Sequence, residues 1–153
     1  MKVNKLILKR FCGEEIYPVK NATWRILDGD GTWDDPYSLW LEIACGPGEN
    51  LNEDTKSLDA EPNLDISFYA ATLNKEDVKA GFIMENQNKE NESDALMYYC
   101  AHQPMRKNQM EVLEREGGVL VIRVTAETTD VNYYDGSKPD NTIEITARFL
   151  LKK

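Results

Sequence analysis

The chain has 153 residues, 41% of them hydrophobic and 29% charged, a balance that fits one globular domain over 1–153 and excludes an intrinsically disordered chain. Twenty-seven acidic residues against 18 basic ones give a formal charge of −9, and the basic residues are scattered. That argues against nucleic acid and anionic membrane as partners, because gripping phosphates takes clustered Lys and Arg, and no segment reaches the ~20 apolar residues of a membrane-spanning helix.

Residues 3–11 alternate apolar and polar and predict a first strand. The only unbroken apolar run there is Leu6, Ile7 and Leu8, with Lys9 and Arg10 directly after it. A signal-peptide core needs roughly 7–15 apolar residues, so a cytoplasmic protein is expected. Cys12, Cys45 and Cys100 are widely spaced and odd in number, and without an export signal they are expected to be free, buried thiols. The sequons at Asn21 and Asn91 then count as chance matches.

Residues 24–27 predict a short strand, followed by the most suggestive stretch of the chain. Asp28, Asp30, Asp34 and Asp35 fall within eight residues, interleaved with Gly29 and Gly31. Calcium takes 6–8 oxygen ligands, and a tight acidic loop can supply them. The spacing departs from the EF-hand loop, however. With Asp28 at the first position, Trp33 stands where the invariant glycine belongs and Leu39 where the bidentate Glu belongs. A turn built from Asp and Gly is the simpler reading, and tight calcium binding is not expected. No other cofactor is suggested.

Tyr37, Leu39, Leu41, Ile43 and Cys45 alternate with polar or small residues, as do Leu64, Ile66, Phe68 and Ala70, and both runs predict strands. Gly46-Pro47-Gly48 opens a long acidic loop between them. Asn74 as a cap and Gly81 as a stop predict one or two helical turns. Residues 85–94 are nearly all Asn, Gln, Glu and Lys and read as a mobile loop, with a strand over 95–101 after it.

His102 is the only histidine. Cys100, two residues before it, would share its strand face, a placement that seldom gives nucleophile–base geometry. Zinc is not suggested, because there is no Cys-x-x-Cys and no pair of histidines. Residues 104–116 read as a strand with a hairpin at Gly117-Gly118, leading into a β-branched strand over 119–128. Tyr133, Tyr134 and Asp135 sit in the next loop, which ends at Asn141, and residues 143–151 alternate cleanly to give the last strand.

Many short strands and almost no helix predict an all-β, mainly antiparallel fold. It should be a β-sandwich or a Greek-key/open β-barrel with at most one or two short helical turns. Leu39, Leu41, Ile43, Ile66, Phe68, Val121, Ile145 and Phe149 should lie in the core. The function indicated first is a non-catalytic binding or interaction domain, for a protein or a small polar ligand. Its working surface would be one end of the β-structure, built from the Asp28–Asp35 loop and the Tyr133–Asn141 loop, where Trp33, Tyr133, Tyr134 and Asp135 could make contacts. A small hydrolase using carboxylates in a barrel mouth is the second reading. A calcium-dependent module on Asp28, Asp30, Asp34 and Asp35 is the third.

Overall fold

The computed structural model describes residues 3–32, 34–86 and 95–152. Among them the chain forms nine strands: β1 (Lys5–Arg10), β2 (Gly13–Leu27), β3 (Tyr37–Cys45), β4 (Asn63–Ala70), β5 (Ile83–Asn86), β6 (Ala95–Tyr98), β7 (His102–Glu116), β8 (Val119–Thr128) and β9 (Asn141–Leu151). The helical residues are two single 3₁₀ turns, Lys56–Leu58 and Lys75–Asp77, so the second falls within the predicted 74–81 segment. Residues 85 and 86, expected as loop, belong to β5, and the rest of that expected loop lies outside the described residues.

Strand follows strand around a closed ring, β1–β2–β3–β4–β6–β7–β8–β9 and back to β1. Every neighbour in it is antiparallel. The fold is therefore all-β and antiparallel, as expected, and of the expected architectures it is a barrel, closed and with up-and-down connections. Strand β5 pairs with residues 108–111 of β7, on the edge that β6 uses at residues 102–104, and so extends that wall. Strand β2 outruns β1 and touches β9 in a short parallel seam, Thr23 against Leu150 and Trp24 against Leu151.

Alternation places one face of each strand inside. Leu39, Leu41, Ile43, Ile66, Phe68, Ile145 and Phe149 are buried in one core with Leu6, Leu8, Trp24 and Met105. Val121 is buried as well, but it alternates with Leu120, Ile122 and Val124, which line that core, and so it faces outward. A run apolar on both faces gives no phase to choose by.

The register defines two ends. At one lie the turn after β1, the long 46–62 connection, the turn at 99–101 and the loop at 129–140. At the other lie the acidic loop at 28–36, the segment 71–82 and the Gly117-Gly118 hairpin. Trp24 plugs this second end, fully buried, with its indole N–H donating to the Gly118 carbonyl at 2.9 Å.

Candidate functional site

Arg10 follows Leu6 and Leu8 on the inward face of β1, so the strand carries a guanidinium into the barrel. A buried cation is tolerated only when its donors are matched. Here all five are. Nε and Nη2 donate to the two oxygens of Asp130 at 3.0 Å each. Nη1 and Nη2 donate to Asp54 at 2.8 and 2.6 Å, and Nη1 also donates to Glu15 at 3.1 Å. Two of the three carboxylates are thus held in the bidentate fork that favours Arg over Lys.

Three carboxylates around one guanidinium leave surplus negative charge, and neutral donors absorb it. Glu15 Oε2 accepts from Thr55 Oγ1 at 2.6 Å and from Asn52 Nδ2 at 2.9 Å. Glu15 Oε1 accepts from Tyr17 at 2.6 Å and from Tyr99 at 3.0 Å, and the two phenol oxygens are 2.7 Å apart. Asp130 accepts the Asn132 backbone N–H at 3.0 Å. With its amide turned to satisfy both ends, Asn141 donates to Asp130 at 2.7 Å and accepts from Val131 at 3.2 Å.

These contacts set the ionisation of the cluster. Burial alone would raise the Glu15 carboxyl, but the hydrogen bonds from Thr55, Tyr17, Asn52 and Tyr99 outweigh it and hold it below the ordinary range. The Arg10 hydrogen bonds pull Asp54 down to about 2. Carboxylates held this firmly in the ionised form are poorly matched to proton transfer near neutrality. What the cluster does is mechanical: it pins β1, β2, the 46–62 connection, the 99–101 turn and the loop after β8 to one point.

Above that point lies a rim of aromatic side chains. Phe11, in the turn after β1, is 43% exposed and packs edge-to-face on Tyr133 with ring centroids 5.7 Å apart. Lys138 Nζ lies 5.2 Å from the Phe11 ring and 5.3 Å from the Tyr133 ring. Tyr134, 50% exposed, points the other way, beside Gln103. Burial raises its hydroxyl above the ordinary value. Tyr98, with its ring 5.0 Å from His102, continues the rim on β6 and β7. Asp135 is exposed, and the Ser137 N–H bonded to its side chain lowers its pKa.

The expected working surface does not assemble as one. Tyr133, Tyr134 and Asp135 sit at the Arg10 end, while Asp28, Asp30, Asp34 and Asp35 sit at the opposite end of the barrel. Trp33 lies outside the described residues. The acidic loop turns its groups on itself. Asp30 accepts the Thr32 N–H at 2.8 Å, and the Asp35 carbonyl accepts from Asp30 and Gly31 at 2.9 and 3.1 Å. A Cβ on Gly29 would meet the Asp35 and Pro36 carbonyl oxygens at 2.3 and 2.4 Å, so only glycine permits that closure. Among the described residues no group of three or more His, Cys, Asp or Glu is placed to hold a metal.

All three cysteines are free, but only Cys45 is buried, where desolvation pushes its thiol up to about 12. Cys12 and Cys100 are exposed, not buried as expected, because both sit in turns; for Cys100 this is because the strand expected over 95–101 ends at Tyr98. His102 is exposed too, at the head of β7.

No family model, curated protein or solved structure matches this chain. Among the described residues no helix is long and apolar enough to cross a membrane.

Proposed function

We propose that the protein is a non-catalytic binding module whose working face is the aromatic rim at the Arg10 end of the barrel, and that its partner is a protein or peptide. The observation that carries this reading is Phe11 and Tyr134, two large aromatic side chains left about half exposed on loops that a buried ionic cluster holds rigid. Rigid aromatic anchors gain contact area at little cost in ordering, which suits recognition. The lowered Glu15 and Asp54 carboxyls, already engaged by hydrogen bonds beneath them, favour binding over hydrolysis. The three free thiols support a reducing, cytoplasmic setting for the same reading.

Selection of a random-peptide phage library against the protein tests the proposal. Peptides that survive should lose binding tenfold or more to Phe11→Ala/Tyr134→Ala and none to Leu150→Ala, which alters an exposed residue near the other end. The double variant should melt within about 1 kcal/mol of the parent, as surface changes do. Peptides that bind the double variant undiminished would move the working face elsewhere.

A further inference from the structure

At the far end of the barrel, outside the wall, Arg25 and Trp40 are direct partners across β2 and β3. The Arg25 guanidinium carbon lies 4.2 Å from the centroid of the Trp40 ring, so the planar group is stacked and its orientation is set. An arginine on the surface of a protein with 27 acidic residues ordinarily finds a carboxylate. Arg25 makes no ion pair and no side-chain hydrogen bond with any described residue, and its buried Nε has no partner among them.

This stacked guanidinium lines a cleft of about 420 Å³ between the end of β2, the end of β9 and the segment after β4. Two further cations share the lining, Lys75 and Lys152, against one carboxylate, Asp28. Lys152 is held by its backbone N–H, which donates to the Trp24 carbonyl at 2.9 Å, and its ammonium is 2.6 Å from Glu42. The turn that carries Lys75 is clamped by Arg115, which donates to the Lys75 and Val78 carbonyls. Between these polar walls, Ile26, Leu73 and Leu151 give the cleft an apolar part. The positive excess is local, set in a chain whose net charge is −9.

We infer that this cleft is a binding site for a small organic carboxylate, its charged end received by Arg25 and Lys75 and its short hydrocarbon body resting on Ile26, Leu73 and Leu151. A guanidinium stacked on one face keeps its edge for the two oxygens of a carboxylate, and the ring pre-orders it before the ligand arrives. The volume lies in the range of small-molecule sites. The site is at the opposite end from the aromatic rim and stands or falls independently of it.

The test is titration of the ¹⁵N-labelled protein with hexanoate, acetate and hexylammonium, followed through the Arg25 Nε–H signal and the backbone amides of Asn74 and Lys75. Hexanoate should move these signals in a saturable way and bind at least tenfold more tightly than acetate, and hexylammonium should leave them in place. Arg25→Gln should weaken hexanoate tenfold or more. Lys75→Gln, on an exposed residue outside the sheet, should weaken it threefold or more and is the second variant should Arg25→Gln fail to fold. Hexanoate and acetate of equal affinity, a hexylammonium response at the same signals, or unchanged hexanoate binding in these variants would overturn the assignment.

Discussion

Arg10 is the residue on which one end of the barrel depends. Replacing it by Ala leaves Glu15 and Asp130 buried and the cluster without its cation. Breaking a buried charge pair from one side costs about 3–5 kcal/mol, so Arg10→Ala should lower the urea midpoint by that equivalent, and a loss under 1 kcal/mol would show the carboxylates reaching water. The same cluster sets the acid limit. Asp54 titrates near 2 when folded against an ordinary 3.8, and Glu15 is also lowered. A carboxyl with a depressed folded pKa contributes its stability above the unfolded value and loses it as pH falls through the folded one. The thermal midpoint should therefore fall as pH drops from 4 towards 2, and Asp54→Asn should flatten part of that fall. Arg10, raised further above its already high ordinary value, stays charged throughout and adds no slope. An acid melt of parent and variant decides this, and parallel curves would remove Asp54 from the account.

At the scale of the elements, β3, β4 and β9 were legible in the sequence as clean alternators, β7 was legible as a strand although its period is broken, and of β2 only residues 24–27 were legible. The broken period has a cause in register shifts, one in β2 and two in β7. In β2 the register shifts between Val19 and Asn21. Glu15 and Tyr17 face inward before it, and Ala22 and Trp24 after it, so the buried set passes from odd to even numbers. In β7 the first of two shifts, between Arg106 and Gln109, does the same, with Gln103 and Met105 inside before it and Met110 and Val112 after. A strand that changes phase midway shows no steady period, and an extra residue in one strand is what changes it. Arg10 falls inside the expected 3–11 strand and Glu15 outside every expected strand, and in neither case does a charge at an inward position announce from sequence the partners that satisfy it. The alternation through Leu6 and Leu8 was the signal available for Arg10, whereas nothing local marks Asp54 as the residue that folds in to meet it.

Lys107 occupies the β7 bulge at φ 53°, a left-handed conformation costly for a side-chain-bearing residue. Lys107→Gly should leave stability unchanged or raise it by up to about 1 kcal/mol, since the ion pair it gives up with Glu127 is largely exposed. Lys107→Val should lower stability by about 1 kcal/mol or more, because a β-branched side chain fits that backbone worst. Thermal melts of the two variants should bracket the parent, and the reverse order would mean the bulge relaxes elsewhere.

For the molecule as a whole, the decisive pairing is β1 with β9, which joins residues 5–9 to residues 142–146. Contacts that distant in sequence make folding slow, in the millisecond to second range typical of non-local β topologies. Ending the chain at Lys138 removes β9 and opens the ring along both β1 and β8. That variant should not give a monomeric peak in size-exclusion chromatography, because two long unpaired edges invite other chains. A well-behaved monomer with native circular dichroism would show that closure is dispensable.

The seam has a further consequence during synthesis. A ribosome delivers β1 well before β9, so β1 waits for this partner until residues 141–151 have been made. Through that interval its edge is open to neighbouring nascent chains. Lys5 and Lys9 stand on the face of β1 turned away from Leu6 and Leu8, and charge along an open strand is one general means of discouraging it from pairing with another copy. In the finished protein the Lys9 ammonium lies between Glu14 and Glu144, at 4.0 and 3.9 Å, so closing the ring gives that charge carboxylate neighbours on both adjoining strands.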